Sequence, residues 1–383
     1  MTIQLLSGNA AAEAASDSDF TGTISPRRLR VGEALADRAV KMLAEAFQNQ
    51  WGADVRLAEA FSTSDFKLAA SAELDKEMLK QYDELPTVWD QYTDTTTVRD
   101  FRPKRLQSRW RNTVGMERVP ELTEYPADDR RGAAEYAIQV AKYGRRFAIS
   151  WEAWLNNEAI GELEDLPGEL ARQARETEMI AAASNLLLVD PATNTASGVN
   201  TNFFKSANGN APTALPLTDV NLLAVLDAMA VKTDPNSGKK IAAPELLVVV
   251  PKTLETTIQR IKAVREVKTT TSGREVTEDN MLANVDYVVD PMLDYLNKHA
   301  KAATTWFVVP KPKSSRPALW VAKLAGHEQP DLRVRADTGQ RVGGGEISFT
   351  EGSFEIDDIQ YRGRHIVGNQ QGDALFTYVS LGS

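Results

Sequence analysis

The stretch RDFRPKRLQSRWR, residues 99–111, lies in the part of the sequence that decides the fold. An acidic segment follows, and the chain returns through residues 136–140 before a long helical pattern that ends at Leu188. An excursion this highly charged cannot bury a hydrophobic core of its own, and its stabilisation must come from another surface. We therefore predict that it contacts a second copy of the chain. Its acidic residues are Glu117, Glu121, Glu124, Asp128 and Asp129.

The composition is that of a globular protein with two packed domains and extensions. The chain has 383 residues, of which 42% are hydrophobic and 25% are charged. Its longest purely apolar run, residues 246–250, is far shorter than the roughly 20 residues that span a bilayer, and the first residues lack the pattern of a signal peptide. We expect neither export nor membrane insertion. The absence of cysteine excludes disulfides, zinc-thiolate sites and a cysteine nucleophile.

The formal net charge of -9 argues against a protein whose main task is to grip nucleic acid. Phosphate binding needs a concentrated basic surface. An acidic surface can still face a polyanion without holding it.

Apolar periodicity predicts helices at 31–49 and 72–82, and a helix from Pro167 to Leu188 with Pro167 in its first turn. Residues 86–98 read as an extended approach to the excursion, and residues 133–149 read as one returning strand. The large apolar residues Trp151 and Trp154 would close the base of this hairpin.

The second half of the chain alternates between helix and strand from Leu217 onwards. We predict helices at 219–231 and 252–264, strands at 245–250, 286–289 and 306–309, and loops at 192–214 and 268–279. After the glycines at 343–345, alternating apolar residues predict antiparallel strands, which the 167–188 helix would cover. One domain would then be built from two separated segments.

Three local strings, in this order of elements, resemble a known family. They are KYGRRFAISWE at 142–152, ELLVVVP at 245–251 and VVDPML at 288–293. From about residue 70 to the carboxyl end, the sequence resembles the major capsid proteins of tailed bacteriophages, which have the Hong Kong 97-type fold. Within that family, the sequence resembles the subgroup of Mu-like major head subunits.

The resemblance implies an α+β fold with an inserted α/β domain and five parts. These are an N-terminal arm (1–75), a helix and strand leading to the loop (76–98), an extended loop or E-loop (99–149), a peripheral domain with a spine helix (150–215 and 331–383), and an axial domain (216–330). It further implies hexamers and pentamers that form the icosahedral head shell of the virion, assembled in the host cytoplasm. Implied partners are a scaffold, a portal and a decoration protein, with packaged double-stranded DNA facing the inner surface without sequence-specific binding. No membrane and no cofactor are implied.

The charge layout supplies a hypothesis for the contact between subunits. Basic residues on the outbound half of the loop would pair with acidic residues before the spine helix of a neighbour, each exposed pair contributing about 0 to 1 kcal/mol. The alternative is that both sets are ordinary solvated faces. The basic set is Arg99, Arg102, Lys104, Arg105, Arg109 and Arg111, and the acidic set is Glu158, Glu162, Glu164, Asp165 and Glu169.

Little in the sequence supports metal binding, phosphate binding or catalysis. The three histidines, His299, His327 and His365, lack metal-ligand spacing, and the glycines at 343–345 lack the context of a phosphate loop. We predict no metal, no cofactor and no catalytic residue. Lys104 and Lys142 are poorly placed for a lysine-to-asparagine crosslink. Two alternatives stay open, namely an encapsulin-like or gene-transfer-agent shell, and a soluble enzyme with its site within 217–309 and a dimerising hairpin.

Overall fold

The computed structural model describes residues 75–109, 118–125, 133–150, 152, 158–233, 238, 240–271, 274–335, 342–343, 353 and 355–382. The predicted 31–49 helix, both tryptophans at 151 and 154, and Arg111 lie outside the described residues. So do two glycines of the 343–345 run, Gly344 and Gly345.

Among the described residues, the helices and strands divide in chain order into a first set before residue 200 and a second set after it. The first contains α1 (75–84), a 3-10 turn (Trp89–Gln91), β1 (Asp94–Val98), β2 (Lys104–Arg109), β3 (Ala133–Ile138), β4 (Ala141–Ser150), α2 (Glu158–Ala183), β5 (Leu187–Asp190) and β6 (Thr195–Val199). The second contains α3 (Asp219–Ala230), β7 (Leu246–Val250), α4 (Glu255–Ala263), β8 (Glu266–Thr271), β9 (Arg274–Asp279), β10 (Asp286–Val289), α5 (Pro291–Leu296), β11 (Trp306–Pro310), β12 (Leu319–Leu324), β13 (Asp331–Val334), β14 (Asp358–Gln371) and β15 (Tyr378–Ser380).

The chain forms two compact units, the first from residues within 1–86, 141–177 and 324–367. Its centre is β14, which pairs antiparallel with β13 and with β4. Helix α2 covers one face of this sheet so closely that a Cβ on Gly363 would lie 2.7 Å from Leu170 Cδ2. The contact confirms the prediction that this helix covers the carboxyl-terminal strand. On α1, the Tyr82 ring packs against His365, and the Arg175 guanidinium lies 3.6 Å from the centroid of the same tyrosine ring.

Helix α2 differs from the prediction at its start. It already includes Glu158, so Pro167 lies inside the helix and not in its first turn. A proline in a helix interior costs about 3 kcal/mol because its backbone hydrogen bond is lost. The neighbouring Leu166 and Leu170 are buried, and their packing offsets this cost. The acidic residues from 158 to 165 therefore lie on the helix itself.

The second unit, from residues within 87–140, 178–323 and 368–383, is built on a four-stranded sheet with strand order β10-β7-β11-β15. β7 runs parallel to β10 and antiparallel to β11. The predicted strands at 245–250, 286–289 and 306–309 and the helix at 219–231 are confirmed within one residue or so at each end. Their apolar side chains form one core, which includes Leu222, Val248, Trp306 and Val308.

Two predicted loops are wrong because each contains strands. Residues 266–271 and 274–279 form the antiparallel strands β8 and β9, and residues 195–199 form β6, which pairs with β5. Residues 252–264 divide into a 3-10 turn at Lys252–Leu254 and the helix α4. The predicted single strand at 133–149 is two strands, β3 and β4, which belong to different sheets.

The second compact unit contains more of the chain than the segment that carries strands β7, β10 and β11. β15, near the carboxyl end, pairs with β11 of the α/β sheet, and Ala196 of β6 bridges to Asn297. Residues 178–215 and 368–382 therefore group with the α/β part. Among the described residues, none of the helices combines the length and the apolar character that a membrane crossing requires.

Candidate assembly surfaces

The described part of the charged excursion contains an antiparallel pair of strands, which we call the hairpin. β2 and β3 pair antiparallel from Lys104 opposite Ile138 to Arg109 opposite Ala133, and neither pairs with a third strand among the described residues. Gln139 Nε2 donates to the carbonyl of Phe101 across the open end, at 2.9 Å. The side chains of Ile138 and Val140 are buried, which anchors the end of the returning strand.

The predicted basic residues lie along this hairpin and its approach, and three of the six have local partners in the structure. Arg105 Nη1 lies 3.4 Å from Glu135 Oε2 across the hairpin, and Arg102 Nε lies 3.9 Å from Asp100 Oδ2. Lys104 Nζ donates to Thr97 O at 2.8 Å. Arg99 is exposed, Arg109 ends β2 with its side chain outside the described set, and Arg111 lies outside it altogether.

The predicted acidic residues all belong to the first turns of α2. Asp165 is exposed, and Glu169 is half-buried and accepts a hydrogen bond from Gln173 Nε2 at 2.8 Å. Glu158, Glu162 and Glu164 are in the helix, but their side chains lie outside the described set.

A buried pair that the sequence did not indicate fixes the segment leading to the hairpin. The Tyr92 hydroxyl donates to Asp290 Oδ2 at 2.7 Å, and the Met292 backbone N–H donates to Asp290 Oδ1 at 2.9 Å. Burial raises the pKa of the Asp290 carboxyl, and burial together with the adjacent Asp290 raises the pKa of Tyr92. Two residues along, Asp94 accepts the backbone N–H of Lys313 at 2.6 Å.

A second polar cluster lies beside β3. Arg316 Nη1 and Asp373 Oδ2 form a buried ion pair at 3.1 Å. Burial, with a smaller contribution from Asp373, raises the pKa of Tyr136 on the hairpin to about 12. Lys232 donates to the backbone carbonyl of Leu375 in the same region. These buried polar contacts therefore lie where the hairpin joins the rest of the second unit.

Strands β13, β14 and β4 of the first unit present a basic surface that sequence reasoning also missed. In the strand register, Arg333 of β13 lies opposite Arg362 of β14, which lies opposite Arg146 of β4. Paired residues of adjacent strands point to the same face of a sheet. Arg364, Arg335 and Lys142 fall on that face by the same alternation.

Among the described residues, no group of His, Asp or Glu side chains could hold a metal ion. The buried pair and the ion-pair cluster have structural roles, since each ties a loop or a strand to the α/β sheet.

The sequence matches a protein family over residues 134–379, which is more than half of the chain, and the family is described as phage capsid protein. The chain belongs to the phage capsid protein family. As predicted, it is a structural component of the virion and not an enzyme. Its mixed α/β fold is that of a phage capsid protein, and capsid proteins assemble into multimeric shells.

Solved structures of similar chains include other shells. A chain of Gordonia phage Cozz is 14% identical with a TM-score of 0.43, covering 76% of this chain and 84% of that one. A capsid chain of an empty GTA particle is 12% identical with a TM-score of 0.45, covering 77% and 90%. A virus-like particle from Pyrococcus furiosus is 11% identical with a TM-score of 0.39, covering 81% and 98%. No curated protein matches this sequence.

Proposed function

We propose that this capsid protein is a Hong Kong 97-type subunit whose hexamers and pentamers close the head shell, and that residues 99–140 are the extended loop lying over an adjacent subunit. The isolated hairpin β2–β3 carries this proposal. A two-stranded hairpin alone is at best marginally stable in water. At its far end, Leu122 is fully exposed and Tyr125 is 82% exposed.

The loop ends at 140 in this proposal, and not at 149 as expected from the sequence. Residues 141–150 form β4, which pairs along its whole length with β14. The sheet of the first unit with α2 corresponds to the peripheral domain and its spine helix, and the four-stranded α/β sheet corresponds to the axial domain. Residues 1–75 would be the arm.

The contact between subunits is proposed to include the predicted charge pairs. The basic residues of the loop would face the acidic first turns of α2 on a neighbour, each pair contributing about 0 to 1 kcal/mol. Heterologous contacts of this kind close into rings. Since every subunit repeats the contact, small energies sum over a shell.

The finer assignments rest on the resemblance of the sequence to the major capsid proteins of tailed bacteriophages. They are a Mu-like subgroup, assembly in the host cytoplasm with a scaffold, a portal and a decoration protein, and packaged double-stranded DNA against the inner surface. A gene-transfer-agent or encapsulin-like shell is the second candidate. The length of the nuclease-protected DNA inside purified particles separates these possibilities.

The first test is to express the chain alone and to examine it by negative-stain electron microscopy and light scattering. Closed shells, sheets, or free hexamers and pentamers are expected. The double variant Arg102→Glu/Arg105→Glu should lower the particle yield, while Arg102→Lys/Arg105→Lys keeps the charge and should not. Unchanged yield in the charge-reversed variant would contradict the proposed pairing. A stable monomer with added scaffold would contradict the proposed assembly.

A further inference from the structure

Strand β4 is an edge strand of the sheet in the first unit. It pairs along its whole length with β14, and among the described residues no strand pairs with its other edge. Residues 141–146 are all exposed. The backbone N–H and C=O groups along an exposed edge form a template for a further strand, and natural proteins cover or protect such edges. An edge ten residues long therefore calls for a partner.

The edge strand is also basic. Lys142, Arg145 and Arg146 are exposed, and none of them forms an ion pair within the part of the chain that the structure describes. Asp358, which is 8% exposed, lies near Arg146. Burial raises the pKa of the Asp358 carboxyl, but hydrogen bonds from two neighbouring side chains and the charge of Arg146 bring it below its ordinary value. One buried carboxylate leaves the strand with a net positive charge.

A second copy of β4 is a poor partner for this edge. Antiparallel pairing of two identical strands about their centres would place Arg145 of each copy opposite Arg146 of the other. Like charges directly opposite each other destabilise a sheet, and charged residues on an edge strand protect it from such pairing. An acidic strand, in contrast, would be attracted by the same residues.

The amino-terminal part of the sequence supplies an acidic segment. Residues 13–21, EAASDSDFT, carry three acidic residues, and no lysine or arginine precedes or interrupts them. Glu13, Asp17 and Asp19 all occupy odd positions, so a strand would place the three carboxylates on one face. Phe20 would lie on the opposite face. The segment itself lies outside the described residues.

The charge patterns of the two segments match in an antiparallel register with Asp17 opposite Arg146. By the same alternation, Lys142 and Arg146 share one face of β4. Asp19 would lie diagonal to both of them. Opposite charges that are paired across neighbouring strands stabilise a sheet.

We propose that residues 13–21 add as a strand to the free edge of β4 in the same molecule, a contact that goes beyond the proposed function and does not depend on it. In the register given above, Phe20 lies opposite Tyr143, whose side chain is 43% exposed. Aromatic pairs across neighbouring strands are stabilising. Strand addition gives affinity through main-chain hydrogen bonds, and the side chains give specificity.

The length of the intervening chain permits this contact within one molecule. The 53 residues from 22 to 74 separate the segment from the first described residue, and a chain of that length reaches at most about 170 Å. The radius of gyration of a folded chain of this size is only about 21 Å. A tethered segment also meets its own chain at an effective concentration that approaches the millimolar range. In dilute solution the β4 edge of the same molecule is therefore favoured over that of a second copy.

Disulfide trapping tests the register, because the chain has no cysteine of its own. The double variant Phe20→Cys/Tyr143→Cys, kept unassembled at low concentration and mildly oxidised, should form a disulfide within one chain, detected as a linked peptide by mass spectrometry. The matched control is Phe20→Cys/Arg333→Cys. Arg333 is exposed on β13, which pairs with the edge of β14 opposite to β4. The control should link at least about tenfold more slowly.

Hydrogen exchange tests whether a strand covers the edge. Asp17→Arg/Asp19→Arg should raise the exchange rate of those amides of residues 141–147 that point away from β14 by about tenfold, because loss of the added strand exposes them to water. Asp54→Arg/Asp65→Arg makes the same change in net charge elsewhere in the amino-terminal part of the chain and should leave these rates unchanged. Neither variant changes a described residue, so both should keep the fold.

Three results would overturn the proposal. The first is an equal rate of disulfide formation in the two cysteine variants. The second is unchanged exchange of residues 141–147 in Asp17→Arg/Asp19→Arg. The third is a disulfide that links two chains and not one, which would place a second copy on the edge. All of these measurements use the unassembled chain, so their outcome is independent of the particle assays that test the proposed function.

Discussion

Replacing Tyr92 with phenylalanine should lower the free energy of unfolding by about 1.5 to 3 kcal/mol at pH 7, the usual contribution of a hydrogen bond to a charged group. The Tyr92 hydroxyl is one of two donors seen on the Asp290 carboxylate, at 2.7 Å, and Asp290 is 1% exposed. Phenylalanine fills the same space apart from one oxygen. The loss therefore reflects an under-solvated buried charge and not a cavity.

The effect should depend on pH with a definite sign. Burial raises the pKa of Asp290, while the hydrogen bond from Tyr92 lowers it. The variant should therefore raise this pKa further above the ordinary value of about 3.9. Ionised Asp290 opposes folding at a pH above its folded-state pKa, and this cost disappears below the unfolded-state pKa. The deficit of the variant should be full at pH 7 and shrink on acidification.

The assay is urea unfolding of the unassembled chain, followed by tryptophan fluorescence at pH 7 and at several values down to pH 4. Tyr295→Phe is the matched control, since Tyr295 is 69% exposed. It should change stability by less than about 0.5 kcal/mol. A Tyr92→Phe deficit below about 0.5 kcal/mol at pH 7, or one that grows with acid, would refute the reasoning.

Three further substitutions test packing, each by urea unfolding. Gly368→Ala should cost at least about 2 kcal/mol, because its Cβ would collide with the Gln139 carbonyl oxygen and a backbone atom cannot move aside cheaply. Trp306→Ala should cost about 3 to 5 kcal/mol, because the side chain is fully buried and its Nε1 donates to a backbone carbonyl at 3.0 Å. Gly363→Ala should cost about 1 to 3 kcal/mol, because its Cβ would meet a side-chain carbon of Leu170 at 2.7 Å, and Leu170→Val in the same chain should recover part of that loss.

Controls for these substitutions lie in the same chain. Gly209→Asn changes a glycine whose added Cβ would have nothing within 4 Å, and it should cost far less than Gly368→Ala. If Trp306→Ala costs under about 1 kcal/mol, the α/β core is not centred on that residue. If Leu170→Val adds its own loss to Gly363→Ala without recovery, the helix and β14 are not in the close contact described.

Local patterns in the sequence predicted the α/β part well. Residues 246–250 and 306–309 are unbroken apolar runs, and each is a buried strand in the structure. Such strands can be predicted without knowing which strands they pair with, because burial on both faces of the sheet makes every position apolar. The family resemblance also came from local strings, including 142–152, and the family is confirmed.

Predictions failed where the local structure depended on the tertiary contacts of a segment. Residues 266–279 are polar and threonine-rich, yet they contain two antiparallel strands, since β-branched residues favour strands once they pair. Pro167 is typical of the first turn of a helix, but here the helix continues through it because the neighbouring Leu166 and Leu170 are buried. Arg105, one of the predicted contact residues, has a local partner in Glu135 that no spacing rule indicated.

The sequence by itself determined the composition class, the buried strands, the long helix and the capsid family, because these follow from periodicity and residue type within short windows. Only the tertiary structure decided which strands pair, that Tyr92 meets Asp290 from 198 residues away, and that three arginines from separate segments share one face of a sheet. The physical reason is register. A shift of one residue moves every side chain of a strand to the opposite face, and register is set by partners distant in the chain.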